Sequence, residues 1–280
     1  MSASTSTWTP PAGRIGNLTP EQEKALEEFR TQIKADGLYV EGGRHDDATL
    51  LRFLRARKFD VKLAKEMFAA CEKWRTEFGT NDLIKDGFAF PEHEQVSEIY
   101  PQFYHKTDKE GRPIWIERLG KVDFTALNKI TTEDRLLRHL VYEYEKFLHE
   151  RLPACSAAVG HPVETSCSIL DLKGVGLGQF FQVKAYVGKV ANIGQNYYPE
   201  TMGKFYIINA PFLFSTVWNV VKGWLDPVTA AKIDILGSSY KDKLLQNIVP
   251  ENLPTDLSGT CTCSPSCSLS DAGPWNPAHQ

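Results

Sequence analysis

Four short runs rich in β-branched and aromatic residues, PIWIER (113–118), TSCSIL (165–170), KFYIIN (204–209) and KIDIL (232–236), alternate with helical patterns near 131–150 and 178–195. Strands joined by helix-length connections pair in parallel, and a parallel sheet needs helices on its faces. This order therefore predicts βαβ units and a largely parallel sheet. The first eighty residues read differently. Thr19, Pro20 and Gln22 supply an N-cap, a proline at the first helical position and a capping-box partner, launching a helix through about Ala35 that ends near Gly37. A second helix starts at Asp46 or Asp47, with Leu50, Leu51, Phe53 and Leu54 inward and Arg52, Arg55, Arg57 and Lys58 elsewhere. Asp60 caps a third, which reaches Phe78 and Gly79. A helical module thus precedes an α/β domain.

The stretch from Tyr197 to Leu236 points toward a ligand. Within it, FLFSTVWNVVKGWL (212–225) places Ser215, Asn219 and Lys222 at i, i+4 and i+7, one narrow polar stripe on an otherwise apolar helix. Fourteen residues at about 1.5 Å each span roughly 21 Å, short of the ~30 Å bilayer core, and Lys222, Gly223 and Pro227 interrupt the run. Such a helix does not cross a membrane. Two expectations remain, a core helix buried between layers or a lid whose apolar face meets lipid. Two isolated charges, Glu200 and Lys232, flank the stretch, and the combination suggests a greasy ligand with a polar head.

Composition narrows the class. With 280 residues, 42% of them hydrophobic, the chain can bury one large core or two modest ones. Its net charge is −3 and its basic residues are interspersed with acids, which argues against nucleic acid as a partner. The N-terminal MSASTSTWTPPAGRIGN has no basic segment leading into an apolar one, and no stretch reaches eighteen uninterrupted apolar residues. A soluble intracellular protein is expected. Of six cysteines, Cys261, Cys263 and Cys267 crowd a Gly/Ser/Pro-rich tail as C-x-C-x3-C, without a second half and with His279 as a distant fourth ligand. Reduced thiols and no metal are expected there, with a zinc site or redox cross-linking as the alternatives.

Catalytic arrangements are missing. DLKGVGLGQF (171–180) lies where a dinucleotide loop would lie, but its glycines at 174, 176 and 178 miss the G-x-G-x-x-G spacing, since position 179 is Gln. ILGSSYK around Ser238 and Ser239 is no nucleophile elbow, and the histidines have no metalloprotease spacing. Binding features are better. Strand alternation puts Ser166 and Ser168 on one face, two hydroxyls able to hold a phosphate in apolar surroundings or to serve as ordinary satisfied serines.

DDATLLRFLRARKFDVKLAKEMF, FYHKTDKEGRPIWIE, RLPACSAAVGHPVETSCSILDLKG, NYYPETMGKFYIINAPFLFS and LDPVTAAKIDILGSSY closely resemble the fungal phosphatidylinositol/phosphatidylcholine transfer proteins of the CRAL-TRIO family, over roughly residues 17–277. By composition, residues 1–18 are a polar arm rich in Ser, Thr and Pro, expected to be disordered, and residues 261–280 a Cys/Ser/Pro-rich tail. The resemblance implies an α/β fold with a helical CRAL-TRIO-N module (19–90) and a lipid-binding domain (95–260) with a helical gate over an apolar pocket.

Carried over by motif, the resemblance implies phosphatidylinositol binding by Glu200 and Lys232, supported by Thr229, Arg57 and Lys58. It implies phosphatidylcholine binding by Ser166, Ser168, Tyr104, Trp115 and Tyr144, hydroxyls suiting phosphate and aromatic faces a quaternary ammonium. Phe212, Phe214, Trp218 and Val221 are expected in the gate, with Gly259 the gate-linked glycine. Three positions depart from the family pattern: Ser168 replaces a threonine, Trp115 a tyrosine and Ser258 a common glycine. The implied protein is a monomeric carrier and not an enzyme. Its ligand is a phospholipid with no further cofactor, it is cytoplasmic with transient contacts to Golgi or endosomal membranes, and it presents phosphatidylinositol to lipid kinases. Two rival readings are a carrier of another hydrophobe (a sterol, a tocopherol-like molecule or haem) and a nucleotide-dependent oxidoreductase using the 174–178 glycines.

Overall fold

A computed structural model describes residues 8–212, 214–225 and 227–279. The chain divides into two compact units, Met1–Asp82 with Ile193–Glu200, and Leu83–Asn192 with Thr201–Gln280.

Three helices build the first unit: α1 (Pro20–Ala35), α2 (Asp47–Ala56) and α3 (Val61–Phe78). Their start signals act as the sequence implies. Gln22 N donates to the Thr19 hydroxyl at 3.3 Å while the Gln22 side chain accepts from Thr19 N at 3.0 Å, and Asp46 and Asp60 accept from Thr49 N and Leu63 N. α3 stops at Gly79, whose φ of +75° suits a residue without a Cβ. Phe29, Ile33, Leu50, Leu51, Leu54 and Phe68 fill the core, with Phe68 edge-on to Phe29 and Phe53.

The expected boundaries need correction here. Residues 8–18, expected in a disordered arm, lie against this unit: Arg55 Nη1 donates to Gly13 O at 3.0 Å and Leu18 packs on the core. The rest of that arm, residues 1–7, lies outside the described residues. Arg52, expected away from the core, is buried with its leucine neighbours. Ile193–Glu200 also joins the helical unit, Trp74 stacking on Tyr197 at 4.0 Å, while residues 83–90 belong to the second unit.

Between the units' main bodies of sequence runs α4 (Thr80–Asp86), followed by α5 (His93–Ile99). Five strands then form one sheet in chain order: β1 (Gln102–Thr107), β2 (Pro113–Arg118), β3 (Ser166–Asp171), β4 (Met202–Ile208) and β5 (Ile233–Ile235). β1 pairs antiparallel with β2, and every other pairing is parallel. Helices α6 (Phe124–Ile130) and α7 (Glu133–Lys146), a π-helical turn (Phe147–Arg151) and α8 (Leu152–Val159) connect β2 to β3. α9 (Leu177–Tyr197) connects β3 to β4, α10 (Phe214–Lys222) and α11 (Pro227–Ala231) connect β4 to β5, and α12 (Lys241–Asn247) follows. Among the described residues no helix is long and apolar enough to cross a membrane.

One face of the sheet is a dry core. Phe103, Ile114, Ile116, Cys167, Ile169, Tyr206 and Ile208 cluster with Leu244, Ile248, Leu253 and Leu257. Gly259 serves this face, because a Cβ there would stand 1.8 Å from the Leu253 carbonyl oxygen.

Away from the sheet, the His139 ring stacks on Phe90 at 4.6 Å. Burial pushes its pKa down to about 4, against the pull of Glu143. A histidine held neutral in the folded state takes its proton first in the unfolded chain. Stability is therefore full above pH ~6.5 and falls as pH drops toward ~4, by about 3 kcal/mol from His139 alone. His139→Gln is expected to shrink the stability difference between pH 7 and pH 5, read by urea unfolding, by roughly 2 kcal/mol relative to wild type.

Candidate functional site

The opposite face of the sheet is mixed. Tyr104 lies in register with Trp115, Trp115 with Ser168, Ser168 with Phe205 and Phe205 with Ile233, one row across all five strands. Residues two apart on a strand share a face, so Glu117, Ser166, Leu170 and Ile207 belong to this surface too. Ser166 Oγ lies 3.4 Å from Ser168 Oγ and 3.4 Å from Thr201 O, both serines being buried. The β3–β4 register slips beside Ser166, where Gly203 is the extra residue. A Cβ at Gly203 would stand 2.5 Å from Thr165 Oγ1 and 3.0 Å from Ser166 O, so only glycine lets the backbones close there.

Toward β1 the face becomes aromatic. Tyr104 lies 4.9 Å from Trp115, stacks on Phe147 of the π-turn at 5.8 Å, and carries the Arg151 guanidinium 4.3 Å from its ring centre. Arg151 is itself held by Glu143 at 2.9 Å and Asp271 at 3.4 Å. Of the three aromatic candidates, Tyr104 therefore already has a cation on its ring. Glu117 is the residue that sequence reasoning missed. It accepts hydrogen bonds from Tyr100, Gln102 and Trp115, and burial raises its pKa in spite of them. The Trp115 indole N–H is thus engaged by Glu117. Burial first, and Glu117 second, lift the Tyr144 hydroxyl to a pKa of about 12. A carboxylate two residues after Trp115, on the same strand face, was the signal available in the sequence.

Toward β5 the face is apolar and covered. Phe214, Trp218 and Val221, at i, i+4 and i+7 along α10, share one cluster with Leu170, Leu172, Phe205, Ile207 and Ile233. Of the two expectations for this helix, core or lid, the docked stripe on the mixed face is the arrangement of the first. Phe212, just before it, is 97% exposed. The Ser215 side chain lies outside the described residues. Gly259, expected to be linked to the gate, packs against Leu253 in the cluster on the other face of the sheet.

The residues expected to bind inositol divide between the units. Arg57, Lys58 and Glu200 belong to the first unit, Thr229 and Lys232 to the second. Glu200 holds a φ of +58°, a conformation that costs a non-glycine residue energy and recurs at functional positions. Arg55 Nε lies 4.0 Å from its Oε2, whereas Arg57 donates to Ala56 O and Lys58 is exposed. Lys232 N donates to Thr229 O at 3.1 Å, and Phe205 N to Lys232 O at 3.2 Å, which ties Lys232 to the row through Phe205.

Comparison with known proteins adds ancestry to this geometry. A family model described as CRAL/TRIO domain matches residues 97–259, and one described as CRAL/TRIO, N-terminal domain matches residues 25–70. The chain is 56% identical over 265 residues to SEC14 cytosolic factor of Yarrowia lipolytica, covering 95% of this chain and 53% of that protein. It is 53% identical over 266 residues to Sec14 cytosolic factor of Schizosaccharomyces pombe, covering 95% and 92%. With phosphatidylinositol/phosphatidylcholine transfer protein SFH12 of Arabidopsis thaliana the identity is 44% over 259 residues, covering 91% and 47%. The chain thus spans about half the length of the Yarrowia and Arabidopsis relatives. The crystal structure of Sfh5 matches with a TM-score of 0.63 at 17% identity, over 80% of this chain and 82% of that one, a likeness of fold. A family model spanning more than half of its length, and relatives of this identity, establish that the chain belongs to the CRAL/TRIO family.

Proposed function

We propose that this protein exchanges single phospholipids, phosphatidylinositol and phosphatidylcholine, between membranes, as a carrier and not as an enzyme. One observation carries the reading: the buried Ser166–Ser168 hydroxyl pair lies on a sheet face that is aromatic, with Glu117, toward β1 and apolar under the stripe of α10 toward β5. A phosphate with two acyl chains matches that pattern. The name of the Arabidopsis relative, a phosphatidylinositol/phosphatidylcholine transfer protein, supports the same ligands.

Exchange is the economical route. Releasing acyl chains into water costs about 0.8 kcal/mol per CH2, whereas moving them from a bilayer to an apolar chamber replaces one dry environment with another. In this reading α10 undocks at the membrane, with Phe212 leading into lipid, and redocks once a new lipid is seated. The carrier is a cytoplasmic monomer that visits Golgi or endosomal membranes and presents phosphatidylinositol to lipid kinases.

Transfer of labelled phosphatidylinositol and phosphatidylcholine between vesicles tests the proposal, and wild-type protein that moves neither ends it. Hydrogen bonds to a charged group contribute about 1.5–3 kcal/mol, so Ser166→Ala with Ser168→Ala is expected to lower phosphatidylcholine transfer at least about tenfold. Unchanged transfer by that double variant would remove the serines from the phosphate site.

A further inference from the structure

β1 and β2 pair regularly from Gln102 to Tyr104, lose register, and meet again at Thr107. At the break Lys106 takes a φ of +49°, a conformation that costs a non-glycine residue roughly 1–3 kcal/mol. His105 sits beside this bulge, its ring 6.3 Å from that of Phe103. Its ring is 0% exposed, and neither Nδ1 nor Nε2 has a hydrogen-bond partner. A buried imidazole with both nitrogens bare is costly unless something else binds them.

Three thiols surround that ring. A ring nitrogen of His105 and the Sγ atoms of Cys261, Cys263 and Cys267 all lie within 4.8 Å of one another. The cysteines are free, and Cys261 Sγ stands 3.6 Å from Cys263 Sγ, far beyond the ~2.05 Å of a disulfide. A tetrahedral zinc with arms of ~2.3 Å to sulfur has S···S edges of about 3.8 Å, so the widest pair would close by roughly 1 Å on binding.

We propose that His105, Cys261, Cys263 and Cys267 form a structural zinc site that fastens the C-terminal segment to the edge strand β1. Three thiolates and one imidazole complete a tetrahedron with no open position, the pattern of a structural zinc centre. His105 takes the place that the sequence offered to His279, whose side chain lies outside the described residues. The site gives the tail an anchor it otherwise has little apolar surface to provide. Lys106 N donates to Ala272 O, and Trp275 packs in the cluster of Tyr104 and Phe147, so the metal holds the strap that closes the aromatic end of the site. This inference stands apart from the lipid ligand and survives or fails without it.

Elemental analysis of the full chain, purified without a histidine tag or chelator, tests it. About one zinc per chain is expected, released by a mercurial thiol reagent. The chain stripped and loaded with cobalt is expected to show thiolate-to-cobalt charge transfer and tetrahedral ligand-field bands. Cys263→Ser and His105→Asn are each expected to weaken zinc binding at least about tenfold, and the wild-type stoichiometry decides the question even where a variant fails to fold. Zinc below about a tenth of an equivalent, an octahedral cobalt spectrum, or a disulfide among these cysteines in freshly isolated protein overturns the proposal.

Discussion

Replacing Lys232 by alanine is expected to lower phosphatidylinositol transfer between vesicles by about 10- to 100-fold, while phosphatidylcholine transfer stays within about threefold of wild type. Lysine donates to the ring hydroxyls of an inositol lipid, which choline lacks, and a quaternary ammonium offers it no acceptor; the phosphate is common to both lipids. The backbone at this position is held independently of the side chain, through Thr229 O and Phe205 N, so truncation leaves β5 in place. Selectivity is then the readout. Equal loss of both lipids would withdraw the inositol assignment, and a thermal melt matching wild type would exclude unfolding as the cause.

Phe147→Ala is expected to destabilise the chain by about 3–5 kcal/mol, the range for emptying a buried aromatic site. Phe147 is 1% exposed, stacks on Tyr104 and shares a cluster with Leu152, Cys155 and Val163. Its place in the π-turn puts it beneath the aromatic end of the ligand face, and such turns recur at functional positions. Denaturant unfolding gives the energy, and Phe147→Leu, which keeps most of the volume, should cost under about 1.5 kcal/mol. A loss below about 1 kcal/mol for the alanine variant would mean that the cluster does not depend on this ring.

Much of this was legible in local sequence. Thr19 with Gln22, and Asp46 and Asp60, mark helix starts because caps act over three residues. β2 to β5 stand out through their β-branched and aromatic content. β1 did not, because an edge strand with a bulge tolerates His105 and Lys106 where an interior strand would need apolar residues. Ser166 and Ser168 could be placed on one face by alternation, but that Tyr104, Trp115 and Ser168 form a row depends on register, which no single strand encodes. Glu117 lay within reach of the same alternation, two residues after Trp115, whereas the approach of Arg55 to Glu200 is a contact across a long stretch of chain. Proximity across long stretches of chain joins Ile193–Glu200 to the first helices and His105 to Cys261, Cys263 and Cys267, and local patterns carry no trace of either.

The two faces of the sheet also bear on how such a chain can change over generations. Every strand from β1 to β4 alternates between a residue of the Ile116, Ile169 and Tyr206 core and one of the Trp115, Ser168 and Phe205 surface. Substitutions on the first set fall on folding, and those on the second fall mainly on which ligand is held. A sheet of this kind can therefore change the chemistry of one face by single replacements at alternate positions, while the side chains between them go on serving the fold.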